Sequence, residues 1–176
     1  MAPASYRPPL KIDDEKERTY TQTTDTNMAS GSKFVRVTEI LSDKGATVHS
    51  VGKGETLQEA INALKTHKIG AIVVMEEGAV VGILSERDAV RVLGESGAEA
   101  LTMPVSQVMT PDPVTCGPSD PLLKVLKAMS EGGFRHMPVA DVTGKLLGLI
   151  SIRDVVAYRL REIEYEALQM KQMIIG

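Results

Sequence analysis

The chain writes one phrase twice. GILSERD, Gly82 to Asp88, returns 66 residues later as GLISIRD, Gly148 to Asp154, with four of seven letters identical and two more exchanging Ile for Leu. The echo runs upstream. VTEIL (Val37–Leu41) corresponds to VSQVM (Val105–Met109). VHSVGKGETLQEAINAL (Val48–Leu64) corresponds to PVTCGPSDPLLKVLKAM (Pro113–Met129), and IGAIVV (Ile69–Val74) to FRHMPV (Phe134–Val139). The last two matches share an offset of 65, and one residue inserted in the next turn yields 66. Length changes confined to turns are what two copies of one structural unit produce. Whatever fold one copy adopts, the other must adopt too.

Within a copy, VHSV and VTC read as short strands. Thr56 and Pro121 open helices, with Asp120 placed as N-cap and proline at the first helical position. Leu57, Ala60, Ile61 and Leu64 share one helical face. AIVV and MPVA are buried strands, Glu76–Gly78 and Asp141–Gly144 are hairpin turns, and VVGIL and LLGLI are the returning strands. Ser85 and Ser151 start a second helix. Each copy is thus β-α-β-β-α and spans about 55–60 residues, too few for a generous core of its own. The expected fold is α/β (α+β): two such repeats, 34–98 and 99–158, packed by their sheets with pseudo-twofold symmetry.

Residues 1–33 hold proline pairs, charges, TYTQTTDT and a linker-like MASGS, and read as a disordered tail. Residues 159–176 extend the last helix. There Val156, Leu160, Ile163, Ala167, Met170 and Ile174 are spaced 4, 3, 4, 3, 4, a heptad seam flanked by Arg, Glu, Gln and Lys. Two readings stand: a helix packed on its own module, or a seam shared by two chains.

Composition removes several function classes. A net charge of -3, aromatics at 3% and no tryptophan supply neither a basic footprint nor a base-stacking platform, so no nucleic-acid partner is expected. The lone Cys116 excludes an internal disulfide framework and fits a reducing compartment as a buried structural thiol. No apolar run approaches the roughly 18 residues of a spanning helix, so no membrane role is expected. The acidic DDEKE near the start is unlike a secretory or organelle leader. The expected location is cytoplasmic, with mitochondrion or plastid as alternatives. His49, His67 and His136 lack metal-ligand spacing, GKGET lacks the P-loop pattern, and no nucleophile sits with a base. No enzymatic role and no catalytic cofactor are expected.

The repeated phrase ends in Ser-x-x-Asp. A serine at a helix start either caps it with the aspartate, as a capping box, or donates to an anion such as phosphate. An aspartate one turn on, facing a cleft, accepts hydrogen bonds from both hydroxyls of a ribose. Arg135 stands just before a buried strand, where its planar fork fits phosphate oxygens.

The tandem unit, with VTCGPSDPLLKVLKAM, GGFRHMPVAD and a closing Gly-x-x-Ser-x-x-Asp in both copies, resembles a pair of cystathionine-β-synthase (CBS) domains, a Bateman module of the small stand-alone type. The resemblance covers Val37 to about Val156. It implies a cleft for an adenosine-containing ligand: AMP, ADP, ATP, NAD(H) or S-adenosylmethionine. It makes Asp154 and Asp88 the ribose residues. Ser151, Ser85, Arg135, His136, Arg153 and Arg87 fall on the phosphate side. The base of the Asp154 site would meet His49, Ile69 and Gly70, with Leu149 alongside. That of the Asp88 site would meet Thr110, Val114 and Phe134, with Ile83 alongside. Lys44 stands where the resemblance pairs a residue with Thr110, a departure at the Asp154 site. Arg135 belongs to the second copy alone, which ranks Asp154 ahead of Asp88. The implied function is a regulatory, energy-sensing module, homodimeric, reporting to an unidentified protein. The alternative is a nucleotide-independent scaffold, for instance for a redox enzyme such as thioredoxin.

Overall fold

The computed structural model describes residues 35–175 apart from residue 46, so the expected tail lies outside the described residues. The architecture is mixed α/β, with the two repeats and the long C-terminal helix that the sequence implies.

Repeat one runs from α1 (Val37–Lys44) through β1 (Ser50–Gly52), α2 (Leu57–His67), β2 (Ala71–Glu76) and β3 (Ala79–Ser85) to α3 (Glu86–Ser96). After a 3-10 turn at Gly97–Thr102 come α4 (Val105–Val108), β4 (Thr110–Pro111), α5 (Leu122–Gly132), β5 (His136–Ala140), β6 (Leu146–Ser151) and α6 (Ile152–Ile175). In the four-stranded sheet β1 is parallel to β2, and β2–β3 and β3–β4 are antiparallel. In the second sheet β5 pairs antiparallel with β6.

Both hairpins behave as their turn residues dictate. Glu77 and Gly78 carry φ of 49° and 82°, the left-handed pair that a two-residue hairpin requires. In the longer turn, Asp141 Oδ1 accepts from the Thr143 and Lys145 amides and the Thr143 hydroxyl.

Three expectations change. VTC is not a strand: only Cys116 bridges Val139, because Pro113 and Pro118 bracket it and remove ladder donors. In VHSV the strand starts late, at Ser50. The N-cap of α5 is Pro121, not Asp120, whose carboxylate instead accepts from the Gly117 amide at 2.7 Å. By contrast, Thr56 and Glu59 close a full capping box on α2.

VTEIL and VSQVM prove to be helices, and they trade places. Val105 and Val108 of α4 are buried in the first core, with Leu57, Leu64, Ile72 and Leu84. Val37 and Ile40 of α1 are buried in the second, with Leu122, Met129, Met137 and Ile150. The repeated glycine explains how. A Cβ on Gly82 would run into the Met109 side chain at the end of α4, and one on Gly148 into Leu41 of α1. The glycine of the shared phrase is where the other repeat's leading helix closes on the sheet. The swap makes one module of two small cores, which suits their size.

At the C-terminus, Val155 is fully buried, while the seam residues Leu160, Ile163 and Met170 are 52–59% exposed within one chain. The seam therefore does not pack on its own module. No helix among the described residues is long and apolar enough to cross a membrane.

Candidate functional site

Each Ser-x-x-Asp sits where a returning strand becomes a helix. Ser85 and Asp88 form a capping box: Asp88 Oδ2 accepts from the Ser85 amide (3.0 Å) and hydroxyl (2.6 Å), and the Asp88 amide donates back to Ser85 Oγ (3.3 Å). Ser151 and Asp154 repeat this at 2.8, 2.8 and 3.2 Å. Each helix start is also pinned to the residue before the first strand of its hairpin, β2 or β5. The Glu86 amide donates to Gly70 O, and the Ile152 amide to Arg135 O. Gly70 and Arg135 are thus equivalent positions, and a full side chain stands at only one of them.

The capping reading is observed, and it leaves one oxygen of each aspartate unused by the cap. The cap uses Oδ2, while Oδ1 of either aspartate accepts no hydrogen bond among the described residues, and each aspartate lines a cavity. The first cavity, about 350 Å³, is lined by Ile83, Ser85, Arg87, Asp88, Thr110, Val114, Phe134, Arg135 and His136. The second, about 640 Å³, is lined by His49, Ile69, Gly70, Leu149, Ser151, Arg153, Asp154, Arg135 and His136. Both volumes suit a small-molecule ligand. Every residue of the implied nucleotide site therefore lines one cavity or the other, and the residues expected on the base side come from the opposite repeat.

The repeats meet at the starts of equivalent strands. The His136 ring lies 3.4 Å from where a Cβ on Gly70 would stand. Burial, reinforced by the charges of Arg135 and Lys44, lowers its pKa against the pull of Asp154 and Glu86. That shift favours the uncharged imidazole. Arg135 is exposed and, among the described residues, no carboxylate pairs with it. It lines both cavities, so it does not favour the Asp154 site, and the ranking based on it loses its ground.

Lys44 does distinguish the cavities. Its ammonium donates to Asp154 Oδ2 at 2.7 Å and to Leu149 O at 3.1 Å. Burial pushes the Asp154 carboxyl up, but hydrogen bonds from Lys44 and Ser151 outweigh it and hold the pKa below its ordinary value. Asp88 has no such partner: the nearest guanidinium, Arg91, is 4.0 Å from its Oδ1.

Among the lining residues that escaped sequence reading are three charged ones, Lys68 and Glu86 in the second cavity and Asp112 in the first; Lys68 and Asp112 share a backbone feature. Both hold left-handed backbone, with φ of 52° and 45°. Strained non-glycine backbone clusters at functional sites, but no letter in the sequence announces it.

The CBS domain family model matches residues 37–95 and 105–161. An uncharacterised 17.7 kDa protein of Acidianus ambivalens is 34% identical over 121 residues, covering 68% of this chain and 70% of that one. The crystal structure of a CBS-domain containing protein from Agrobacterium tumefaciens superposes with a TM-score of 0.68 at 40% identity, covering 71% of this chain and 99% of that one. A CBS domain protein from Pyrobaculum aerophilum, complexed with AMP, superposes at a TM-score of 0.62 with 26% identity, covering 68% and 89%. The chain belongs to the CBS-domain family.

Proposed function

We propose that this CBS-domain pair is a regulatory module that binds an adenine nucleotide between its repeats and passes occupancy to a partner protein. The observation that carries the reading is the Asp88 cavity. An aspartate with one oxygen spent on a cap and one to spare stands beside a serine at a helix start. Thr110 and Phe134 of the other repeat lie across from it, and Arg135 lies at the same rim. That set offers acceptors for ribose hydroxyls, donors and charge for phosphate, and an apolar wall for a base. AMP is the first ligand to test, because the Pyrobaculum relative is complexed with it.

Titration calorimetry with AMP, ADP, ATP, NADH and S-adenosylmethionine tests this. Micromolar binding of at least one, weakened in Arg135→Ala, is expected. No binding across the panel refutes it.

We further infer that the exposed α6 seam pairs with the same seam of a second copy, because its spacing is that of a two-helix interface with charged flanks. Sedimentation of a chain ending at Val156 should then show a smaller species than the full chain. The same exposed helix keeps the nucleotide-independent scaffold in view. Capture of a thioredoxin-type enzyme that is indifferent to AMP and to loss of the aspartates would favour it.

A further inference from the structure

We propose that Lys44 makes the two cavities unequal: by holding Asp154 it restricts that cavity to nucleotides carrying two or three phosphates, and leaves AMP to the Asp88 cavity. This rests on the nucleotide reading above and assigns a specificity that neither the family nor the repeat implies.

The argument starts from donors. Asp154 Oδ2 receives three: Lys44 Nζ, the Ser151 amide and the Ser151 hydroxyl. Asp88 Oδ2 receives only its serine's two. Oδ1 is free of hydrogen bonds on both aspartates among the described residues. A ribose entering the Asp154 cavity nonetheless approaches a carboxylate whose charge is already met by an ammonium on Oδ2, whereas one entering the Asp88 cavity meets no such ammonium.

The cause lies in the lead-in segments. In the first sheet β4 pairs with β3, setting Thr110 opposite Ile83. Leu149 occupies the matching place in β6, but β6 has β5 as its only strand partner among the described residues. Where β4 would stand, Lys44, in the last turn of α1, reaches across to Leu149 O and on to Asp154. The lysine side chain replaces a strand.

The charges then set the ligand. Lys44, Lys68, Arg135 and Arg153 line the Asp154 cavity against Glu86 and Asp154, two positive charges in excess. Around the Asp88 cavity Arg87 and Arg135 balance Asp88 and Asp112. The Lys44–Asp154 pair is part-exposed, with side chains 44% and 24% accessible, and pairs of that kind are weak and exchangeable. A chain of phosphates offers the ammonium a denser anion than the carboxylate does, so a polyphosphate can draw Lys44 away and leave Asp154 to the ribose. A single phosphate, already claimed by Ser151 and Arg135, cannot.

Calorimetric stoichiometry tests this. The wild-type chain should take one AMP, bound at least about tenfold more weakly in Asp88→Ala and unchanged in Asp154→Ala, but two ATP. Lys44→Thr, which installs the residue found at position 110, should take two AMP. Its Asp88 site reports in the same titration that the variant is folded, and Lys44→Met provides a second variant should threonine disturb α1. Two AMP bound by wild type, one AMP bound by both Lys44 variants, or one ATP bound by wild type would each overturn the proposal while leaving nucleotide binding intact. Binding of no nucleotide at all would overturn the functional reading together with it.

Discussion

Replacing Asp88 separates structure from function because its two oxygens have different work. Oδ2 closes the cap of α3, and Oδ1 is the proposed ribose acceptor. Asp88→Ala removes both. Losing a capping interaction costs about 1 kcal/mol, which lowers the melting temperature by a few degrees. Losing hydrogen bonds to a charged acceptor costs about 1.5–3 kcal/mol of binding, a roughly 10- to 150-fold weaker Kd for AMP. Asp88→Asn keeps an oxygen for the Ser85 amide but gives up the charge. Its melting temperature should stay near wild type, while its affinity falls to an intermediate value, since neutral hydrogen bonds are about half as strong. Scanning calorimetry and isothermal titration on the three proteins give the two orderings. If Asp88→Ala melts lower yet binds AMP within about twofold of wild type, the aspartate is a helix cap and nothing more, and the site assignment fails.

Gly148→Ala should destabilise by about 1–3 kcal/mol in urea denaturation, because the new Cβ meets Leu41; pairing it with Leu41→Ala should recover part of that loss, and simple additivity would refute the contact. Cys116 is buried, and burial, with the nearby Asp120 charge, pushes its thiol up to about 12. Iodoacetamide at pH 8 should leave the native chain unlabelled and label it in urea; rapid native labelling would contradict the buried placement. Asp154 has its folded pKa below the unfolded value of 3.8, so its contribution to stability is present above that value and is lost as pH falls through the folded one. Lys44→Met should raise that pKa in a carboxyl NMR titration; an unchanged value would remove Lys44 from the site.

The repeat made most of this legible, because two copies must agree. AIVV with VVGIL and MPVA with LLGLI read correctly as hairpins, and the Ser-x-x-Asp aspartates fell in cavities with their proposed neighbours. The failures were tertiary. VTEIL and VSQVM are too short for a helical period to declare itself, and their burial depends on the other repeat's core. Asp120 has the right chemistry for an N-cap, yet Pro121 takes that place because the aspartate is committed to the Gly117 turn. Arg135, which the sequence reading offered to both sites yet used to rank Asp154 first, lines both cavities and so cannot rank them.

The same exchange of leading helices bears on how occupancy could leave the module. Three contacts tie α1 to the first half of α6: Lys44 to Asp154, Glu39 to the Tyr158 hydroxyl at 2.7 Å, and Asp43 to Arg161 at 3.4 Å. The Tyr158 contact is firm enough that Glu39 pushes the phenol up to about 12. A nucleotide that takes Asp154 from Lys44 breaks the contact nearest the root of α6 and leaves the other two. The exposed seam begins at Val156, two residues beyond Asp154. A ligand in the Asp154 cavity therefore acts at the base of the exposed α6 seam, whereas one in the Asp88 cavity sits against α3, which ends in the 3-10 turn. On the proposed reading the Asp88 cavity holds AMP without disturbing α6, and the Asp154 cavity is the one whose filling a partner on that helix would feel. Such a response still requires the ligand to bind the two arrangements unequally, and Lys44 supplies the difference: the arrangement with Asp154 released is the one that admits the ribose.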